Sequence, residues 1–152
     1  MFSIKKEQSP KLDLLMKENI LLNCKARSRE EVIREAGEML YKSGYVKEGY
    51  IDGMRKRELS FSTHVGNGIA MPHGVEEVKH DIITSGIVIM IFPEGTNWGE
   101  DIVNVVIGIA GVGEEHLSIL ANVAGRLSTP EEVARLINGS VEEVYEVLTG
   151  EE

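Results

Sequence analysis

Apolar and polar residues follow a helical period over residues 28–44. The apolar side chains recur at three- and four-residue spacing, and Ser28 with Glu31 gives the sequence signature of a capping box. Gly44 follows the last apolar position, where a glycine commonly ends a helix. The segment predicts an amphipathic helix whose apolar positions are Val32, Ile33, Ala36, Met39 and Leu40.

Two further segments have this helical period. Residues 47–61 predict a helix, and its apolar face comprises Tyr50, Ile51, Met54 and Phe61. Residues 114–127 predict another, with these positions facing inward: Leu117, Leu120, Ala121, Ala124 and Leu127.

Two short helices are predicted near the end of the chain, at residues 129–137 and 140–148. Each begins with a capping box, and Pro130 occupies a first helical position, where proline is well tolerated. The paired capping residues are Thr129 with Glu132 and Ser140 with Glu143.

Strand patterns lie between the helices. Residues 19–24 read as a short strand, and the apolar, β-branched runs at 81–92 and 101–111 are typical of central strands covered on both sides. Helices alternating with such strands predict an α/β fold in which helices pack on a small sheet. No linker or repeat divides residues 1–152, so we expect a single domain, with the first ten or so polar residues loose.

Composition narrows the function. A chain of 152 residues with 42% hydrophobic and 27% charged residues is ordinary for one globular domain. It has no apolar run near the roughly 20 residues that span a bilayer, and its start has no secretory h-region. The single cysteine, Cys24, fits a reducing cytoplasm and is expected to be an inert buried thiol. The formal charge of −9 argues against a nucleic-acid partner and fits either docking on a basic protein surface or solubility alone.

The stretch GNGIAMPHG at residues 66–74 surrounds one histidine, His73, with three glycines and a proline. Standard site patterns do not account for it. The spacing of the four histidines matches no zinc motif, no Gly-Lys-Ser/Thr follows to complete a P-loop, and no G-x-S-x-G elbow is present. Pro72 favours an extended chain before His73, and Gly74 permits a sharp exit after it. The imidazole should therefore lie where a strand leaves the core, either as a reactive group or as an ordinary loop histidine.

Two other side chains could complete an anion site. Arg57 lies near the centre of the apolar face of its helix, where it serves either an anion or a structural ion pair, for instance with Glu58. His116 lies in a first helical turn, where a neutral imidazole can donate to an anion or simply face solvent. The remaining histidines, His64 and His80, are expected to be solvated.

The run GYVKEGYIDGMRKRELSFSTHVGNGIAMPHG resembles the enzyme IIA domains of the phosphoenolpyruvate-dependent sugar phosphotransferase system, in the fructose/mannitol class. The resemblance extends from about residue 19 onward. FPEGTNWG and the later VIGIAGVGEEHLSILANVAGRLSTPEEV look most like the mannitol-specific branch. It implies a mixed β-sheet flanked by helices on both faces. One departure is Val75, where relatives often have Thr or Lys, which removes any hydroxyl contact at that position.

The resemblance also implies a function. A cytoplasmic phosphocarrier would take phosphoryl from the histidine-phosphorylated protein HPr onto His73 and pass it to a cysteine of the sugar-specific enzyme IIB. It would need no metal or cofactor and would not insert into the membrane. A nitrogen-regulatory relative, with the same histidine in a signalling role, is the alternative.

The resemblance assigns residues to that function. His116 would be the second active-site imidazole, and Arg57 would balance charge. Backbone groups at Gly66, Asn67, Gly68 and Gly74, together with Thr63, would support the phosphoryl group. A shallow apolar collar for the partners is expected from Ile69, Met71 and Val75.

Overall fold

Two long neighbouring strands, β4 (Gly86–Trp98) and β5 (Asp101–Ala110), form the centre of a five-stranded sheet in this computed structural model. The structure describes residues 13–150. Two predictions, the loose N-terminal segment and the outer limits of the domain, therefore concern residues outside the described range. β4 and β5 pair antiparallel from Gly86↔Ala110 to Trp98↔Asp101.

Three short strands complete the sheet: β1 (Ile20–Leu21), β2 (His64–Gly66) and β3 (Ile69–Ala70). The strand order is β1-β4-β5-β3-β2. β1 runs parallel to β4, β3 runs parallel to β5, and β2 runs antiparallel to β3. The sheet is mixed, as the family resemblance implied.

Five helices surround the sheet within residues 13–150. They are α1 (Arg29–Lys42), α2 (Gly49–Ser60), α3 (Glu115–Arg126), α4 (Pro130–Asn138) and α5 (Val141–Thr149). Reciprocal capping boxes form at Ser28 with Glu31 and at Ser140 with Glu143, as predicted. At α4 the Thr129 hydroxyl accepts the Glu132 N–H, but within the described residues the Glu132 carboxylate accepts from the Thr129 hydroxyl and not from the Thr129 N–H, so only half of the predicted box forms.

Helices pack on both faces of the sheet. Alternate residues of a strand point to opposite faces, so Ile87 and Ile89 join the core beneath α3–α5 while Val88 and Met90 join the core beneath α1 and α2. The predicted α/β fold with helices on both faces is confirmed. Within residues 13–150, no helix is both long and apolar enough to cross a membrane.

The strand boundaries differ from those predicted. A short 3-10 helix, Glu76–Asp81, takes the start of the predicted strand at 81–92, and β4 continues beyond Phe92 to Trp98. It continues because Thr96 and Trp98 still have partners on β5, across an irregular stretch after Ile91. The strand predicted at 19–24 pairs only at Ile20 and Leu21.

Two predicted apolar faces were correct only in part: Tyr50, Met54 and Leu127 are buried and Leu120 packs against the core, but other members of the two faces are exposed. α3 buries Ile119, Val123 and Leu127, whereas Leu117 is 68% exposed and Ala121 and Ala124 are exposed as well. The helix has two apolar stripes, and periodicity alone does not tell which one meets the sheet. Phe61 is 75% exposed because α2 ends at Ser60 and an extended residue no longer follows the helical face.

Candidate active site

His73 lies where the chain leaves the sheet beyond β3. The Ile109 N–H donates to the Pro72 carbonyl at 2.9 Å, and His73 forms a parallel bridge with Ile109 near the end of β5. The predicted exit of the strand from the core is therefore confirmed. Reactive groups of α/β sheets commonly lie at such carboxyl ends of strands.

One ring nitrogen of His73 is held by the backbone. Its Nδ1 lies 2.9 Å from the Met71 carbonyl oxygen. A carbonyl can only accept, so Nδ1 carries the hydrogen and Nε2 of the neutral ring has the free lone pair. Burial lowers the pKa of His73; the Arg57 charge, and the His116 ring when it is protonated, lower it further, against the opposing effects of the Met71 hydrogen bond and the Glu58 charge. The ring is neutral at neutral pH.

His116 faces His73 from the first turn of α3. The two ring centroids are 5.0 Å apart, with the planes inclined by 61°. Gly111 permits this approach, because a Cβ there would lie 2.5 Å from the His116 Cα. Burial lowers the pKa of the half-buried His116, and Glu76 opposes that shift. The structure thus brings together two neutral imidazoles that are 43 positions apart in the sequence.

Ser85 fixes the start of α3. Its Oγ accepts the Val112 N–H at 2.9 Å and bonds to the Glu115 carboxylate. These contacts tie the beginning of the helix to the residue immediately before β4. His116 therefore has a defined position although its helix begins without a side-chain cap.

Arg57, on α2, lies close enough to His73 for its charge to act on that ring. Its Nη1 donates to the Phe61 carbonyl at 2.8 Å, and its charge contributes to the lowered pKa of His73. The structural ion pair with Glu58 is not formed, because the Glu58 carboxylate is occupied by Thr63 and Trp98. Among the residues that the structure describes, no salt bridge occupies Arg57, and most of its guanidinium fork remains open to an anion.

Tyr50 is a site residue that the sequence analysis missed. It was assigned only to an apolar face, but its hydroxyl donates to the Ile109 carbonyl at 2.8 Å and accepts the Gly74 N–H at 2.9 Å. Burial raises its pKa to about 12, so it stays protonated. The signal was available, since a buried tyrosine hydroxyl needs a partner.

The Gly74 amide is therefore already committed, and the prediction that it donates to a phosphoryl group is wrong. Gly74 serves the site by its size. A Cβ at this position would lie 2.6 Å from the Tyr50 ring. The absence of a side chain lets the loop after His73 pack directly on that ring.

The turn between β2 and β3 consists of Gly66, Asn67 and Gly68. It precedes β3, whereas His73 follows that strand. All three have positive φ angles, of 103°, 54° and 74°. Ile69 pairs with Val105 whereas His73 pairs with Ile109, so the turn lies about 15 Å from His73 at roughly 3.3 Å per extended residue. Its amides are too distant to contact a group on His73, which corrects the prediction for these three residues.

Thr63 is buried, and its polar groups are engaged within the protein. Its N–H and its hydroxyl both donate to Glu58, and its carbonyl accepts the Met71 N–H. Its contact with the site is therefore indirect.

Other predicted residues also need correction. Ile69 and Met71 are buried and Val75 is half-buried, so they do not form an exposed collar. Exposed apolar side chains nearby are Phe61, Val112 and Leu117.

Two histidines and the cysteine lie outside the site. His64 is half-buried, with Nδ1 3.3 Å from the Asp101 carboxylate, whereas His80 is exposed as predicted. Cys24 is half-buried, its thiol directed to the Leu21 carbonyl and its pKa raised by burial. Over residues 13–150, no group of three or more His, Cys, Asp or Glu side chains is arranged to hold a metal ion.

Comparison with known proteins gives consistent matches. Residues 13–150 match the family described as phosphoenolpyruvate-dependent sugar phosphotransferase system, EIIA 2. The mannitol-specific phosphotransferase enzyme IIA component of Bacillus subtilis is 48% identical over 133 residues, which is 87% of this chain and 93% of the relative. The corresponding component of Halalkalibacterium halodurans is 45% identical over 135 residues, covering 89% and 92% of the two chains.

A solved structure has the same fold. It is the complex of enzyme IIAMTL with phosphorylated enzyme IIBMTL from Escherichia coli, and the matched chain superposes with a TM-score of 0.83 at 40% identity. The match covers 88% of this chain and 96% of that chain.

Proposed function

The chain belongs to the EIIA 2 family of the phosphoenolpyruvate-dependent sugar phosphotransferase system, and from this premise we propose that it carries phosphoryl groups on His73 for mannitol uptake. The observation that carries the proposal is the pair of neutral imidazoles, His73 and His116, at the end of the sheet. A neutral imidazole is a competent nucleophile without a separate base.

Nε2 of His73 is the atom that accepts the phosphoryl group. The phosphorus–nitrogen bond of phospho-HPr breaks as a new bond forms to Nε2, and the HPr imidazole leaves with the electron pair. The bond from Nδ1 to the Met71 carbonyl supports this choice, since it points the lone pair of Nε2 away from the chain. Phosphoryl transfer needs an in-line approach, so a fixed ring direction supplies much of the catalysis.

His116 and Arg57 stabilise the transferred group. One nitrogen of the neutral His116 ring carries a hydrogen that can bond to a phosphoryl oxygen. Arg57 offers charge and further N–H donors, since within residues 13–150 its guanidinium donates one hydrogen bond, to the Phe61 carbonyl. The closeness of all three side chains supports these roles: the rings are 5.0 Å apart, and the Arg57 charge acts on the His73 pKa.

The phosphoryl group then passes to a cysteine of the mannitol enzyme IIB. The His73–phosphorus bond breaks, a sulfur–phosphorus bond forms, and Nε2 regains its lone pair. The matched Escherichia coli protein was solved in a complex with a phosphorylated IIB, which supports a IIB partner for this chain. Three exposed apolar residues lie close in the chain to residues of the site: Leu117 follows His116, Val112 follows Gly111, and Phe61 holds the carbonyl that Arg57 binds. They supply an apolar contact surface for two successive partners.

Labelling tests the acceptor. Purified protein is incubated with enzyme I, HPr and phosphoenolpyruvate carrying labelled phosphate. We expect the wild type to gain one phosphoryl group and His73→Ala to gain none, whereas His80→Ala, which changes an exposed histidine outside the site, labels normally. Labelled His73→Ala would overturn the assignment.

Transfer of the phosphoryl group to IIB tests whether the protein serves mannitol uptake or nitrogen regulation. When the phosphorylated protein is mixed with a mannitol-type IIB, its label should pass to that partner. A nitrogen-type regulatory protein would instead label on His73 and keep the label in the presence of the mannitol IIB. This second outcome would retain the acceptor and reject the role in mannitol uptake.

A further inference from the structure

Glu58 is a buried carboxylate that the phosphoryl transfer described above does not use. It lies on α2 next to Arg57 and is only 5% exposed. Its oxygens accept three hydrogen bonds: from the Thr63 N–H at 2.8 Å, the Thr63 hydroxyl at 2.7 Å and the Trp98 Nε1–H at 2.9 Å. The Arg29 guanidinium lies 3.9 Å away on α1. A buried carboxylate with so many fixed donors has a single well-defined position.

Two backbone hydrogen bonds connect this carboxylate to His73. The carbonyl of Thr63 accepts the Met71 N–H at 3.0 Å, and the carbonyl of Met71 accepts the His73 Nδ1–H at 2.9 Å. Glu58 therefore holds Thr63, Thr63 holds Met71, and Met71 determines which ring nitrogen of His73 carries the hydrogen. The connection passes entirely through buried residues.

We propose that Glu58 is a positioning residue for His73: through Thr63 and Met71 it keeps the ring in the Nδ1–H tautomer with Nε2 free to take the phosphoryl group. The inference rests on the proposed function for its catalytic consequence. Its structural content, the tautomer and direction of the ring, is independent of which partner supplies the phosphoryl group.

Electrostatics agrees with the geometry. The Glu58 charge raises the pKa of His73, in opposition to burial and to the Arg57 charge. A negative charge at this position makes the ring more basic and compensates for positive charge that develops on the ring as Nε2 attacks. A carboxylate that only anchored Trp98 would need no such relation to the histidine.

Two substitutions separate charge from position. In Glu58→Gln the amide oxygen can still accept from the Thr63 N–H and Trp98, and the amide nitrogen can donate to the Thr63 hydroxyl, so the shape is kept and the charge is lost. Glu58→Ala removes both. The matched control is Glu38→Gln, which removes one charge from an exposed position on α1.

Imidazole nitrogen NMR on the unphosphorylated protein distinguishes the two tautomers of His73 and follows its titration. We expect Glu58→Gln to keep the Nδ1–H tautomer while the pKa of His73 falls further. We expect Glu58→Ala to populate both tautomers and to accept phosphoryl from phospho-HPr about tenfold to a hundredfold more slowly, the loss typical of a displaced reacting group. An unchanged tautomer and an unchanged rate in Glu58→Ala would overturn the proposal, even if its melting temperature fell.

A second pair of variants covers the case in which Glu58→Ala does not fold. Thr63→Val removes the hydroxyl contact to Glu58 at nearly constant volume, and Thr63→Ser restores it. Mixed tautomers in the valine variant with wild-type behaviour in the serine variant would support the proposal, whereas a pure Nδ1–H ring in both would reject it. If the wild type itself took no label from phospho-HPr, the proposed function would fail, while the NMR comparison would still decide the role of Glu58.

Discussion

The two histidines of the site are held in different ways. His73 is fixed from within the sheet: its ring bonds to the Met71 carbonyl, and Tyr50 ties the next residue, Gly74, to β5. His116 lies on the first turn of a helix that begins without a side-chain cap and whose neighbour Leu117 is largely exposed. The proposed nucleophile thus has a fixed direction, whereas its companion lies at the proposed docking surface.

This difference matches the demands of the two proposed roles. An attacking lone pair must point along the line of the breaking bond, so small displacements are costly. A donor to a phosphoryl oxygen tolerates small changes of direction, because hydrogen-bond directions at such oxygens are broad, so a large loss requires a shift of the backbone that carries it. Substitutions on each side should therefore have different signatures.

The largest effect is expected from Gly111→Ala, which displaces His116. The new Cβ would meet the His116 Cα at 2.5 Å and its backbone nitrogen at 2.9 Å. Backbone atoms cannot rotate away, so the start of α3 must move by a substantial part of 1 Å. We expect a loss of about 1–3 kcal/mol in the free energy of unfolding and up to about a hundredfold in the rate of delivery to IIB.

Urea unfolding and single-turnover transfer measure these two effects. The control is Gly125→Ala, since a Cβ there has open space around it on the same helix. A Gly111→Ala protein that transferred at the wild-type rate would show that the distance between the imidazoles is not critical.

A smaller effect is expected from Tyr50→Phe, which loosens the His73 side. The Ile109 carbonyl and the Gly74 N–H both lose the Tyr50 hydroxyl. We expect a loss of about 1–2 kcal/mol in the free energy of unfolding and about tenfold in acceptance from phospho-HPr. Tyr41→Phe, at an exposed tyrosine of α1, should change neither quantity. If Tyr50→Phe accepted phosphoryl groups at the wild-type rate, the ring direction of His73 would not depend on this contact.

Leu117→Ser tests the docking surface and should change affinity alone. The side chain is 68% exposed, so the free energy of unfolding should stay within about 0.5 kcal/mol. We expect the Kd for IIB, measured by titration, to rise about fivefold, the equivalent of ~1 kcal/mol. Ile102→Ser is the matched control, because Ile102 is 61% exposed at the opposite end of β5 from His73. Equal effects of the two substitutions would argue against a docking surface at Leu117.

The sequence predicted some features of the fold and the site better than others. Capping residues and helical periods located the helices, because those signals are local to the chain. The family motif identified His73, His116 and Arg57, and the structure brings the two rings to 5.0 Å. The hydrogen bonds of Tyr50 and Glu58 were not predicted, since they join α2 to segments 24 and 40 residues further along the chain.

Errors arose where one pattern allowed two outcomes. α3 has two apolar stripes, and only the packing against β4 and β5 selects Ile119 and Val123 over Leu117 and Ala121. The glycines at 66–68 and 74 are close in sequence to His73, but an extended chain separates the first group from it. Proximity in sequence is a poor guide to proximity in space within a strand.

The smallest predicted effect is a dependence of stability on pH that comes from His73. Burial lowers its pKa below the ordinary value of 6.5, so the folded protein binds this proton less readily than the unfolded chain does. Above pH 6.5 both states are neutral and the histidine contributes no pH dependence. Below it the unfolded chain is protonated first, and the free energy of unfolding falls as the pH falls towards the lowered pKa.

His73→Gln removes this contribution and leaves the other titrating groups in place. We therefore expect the difference in free energy of unfolding between variant and wild type to move in favour of the variant as the pH is lowered through 6.5. His116 has a pKa lowered by burial as well, but it is more exposed and more easily hydrated, so His116→Gln should show the same trend more weakly. Urea unfolding at a series of pH values measures both differences. A larger pH effect from His116 than from His73 would reverse the contrast between a fixed, buried nucleophile and a companion at the surface.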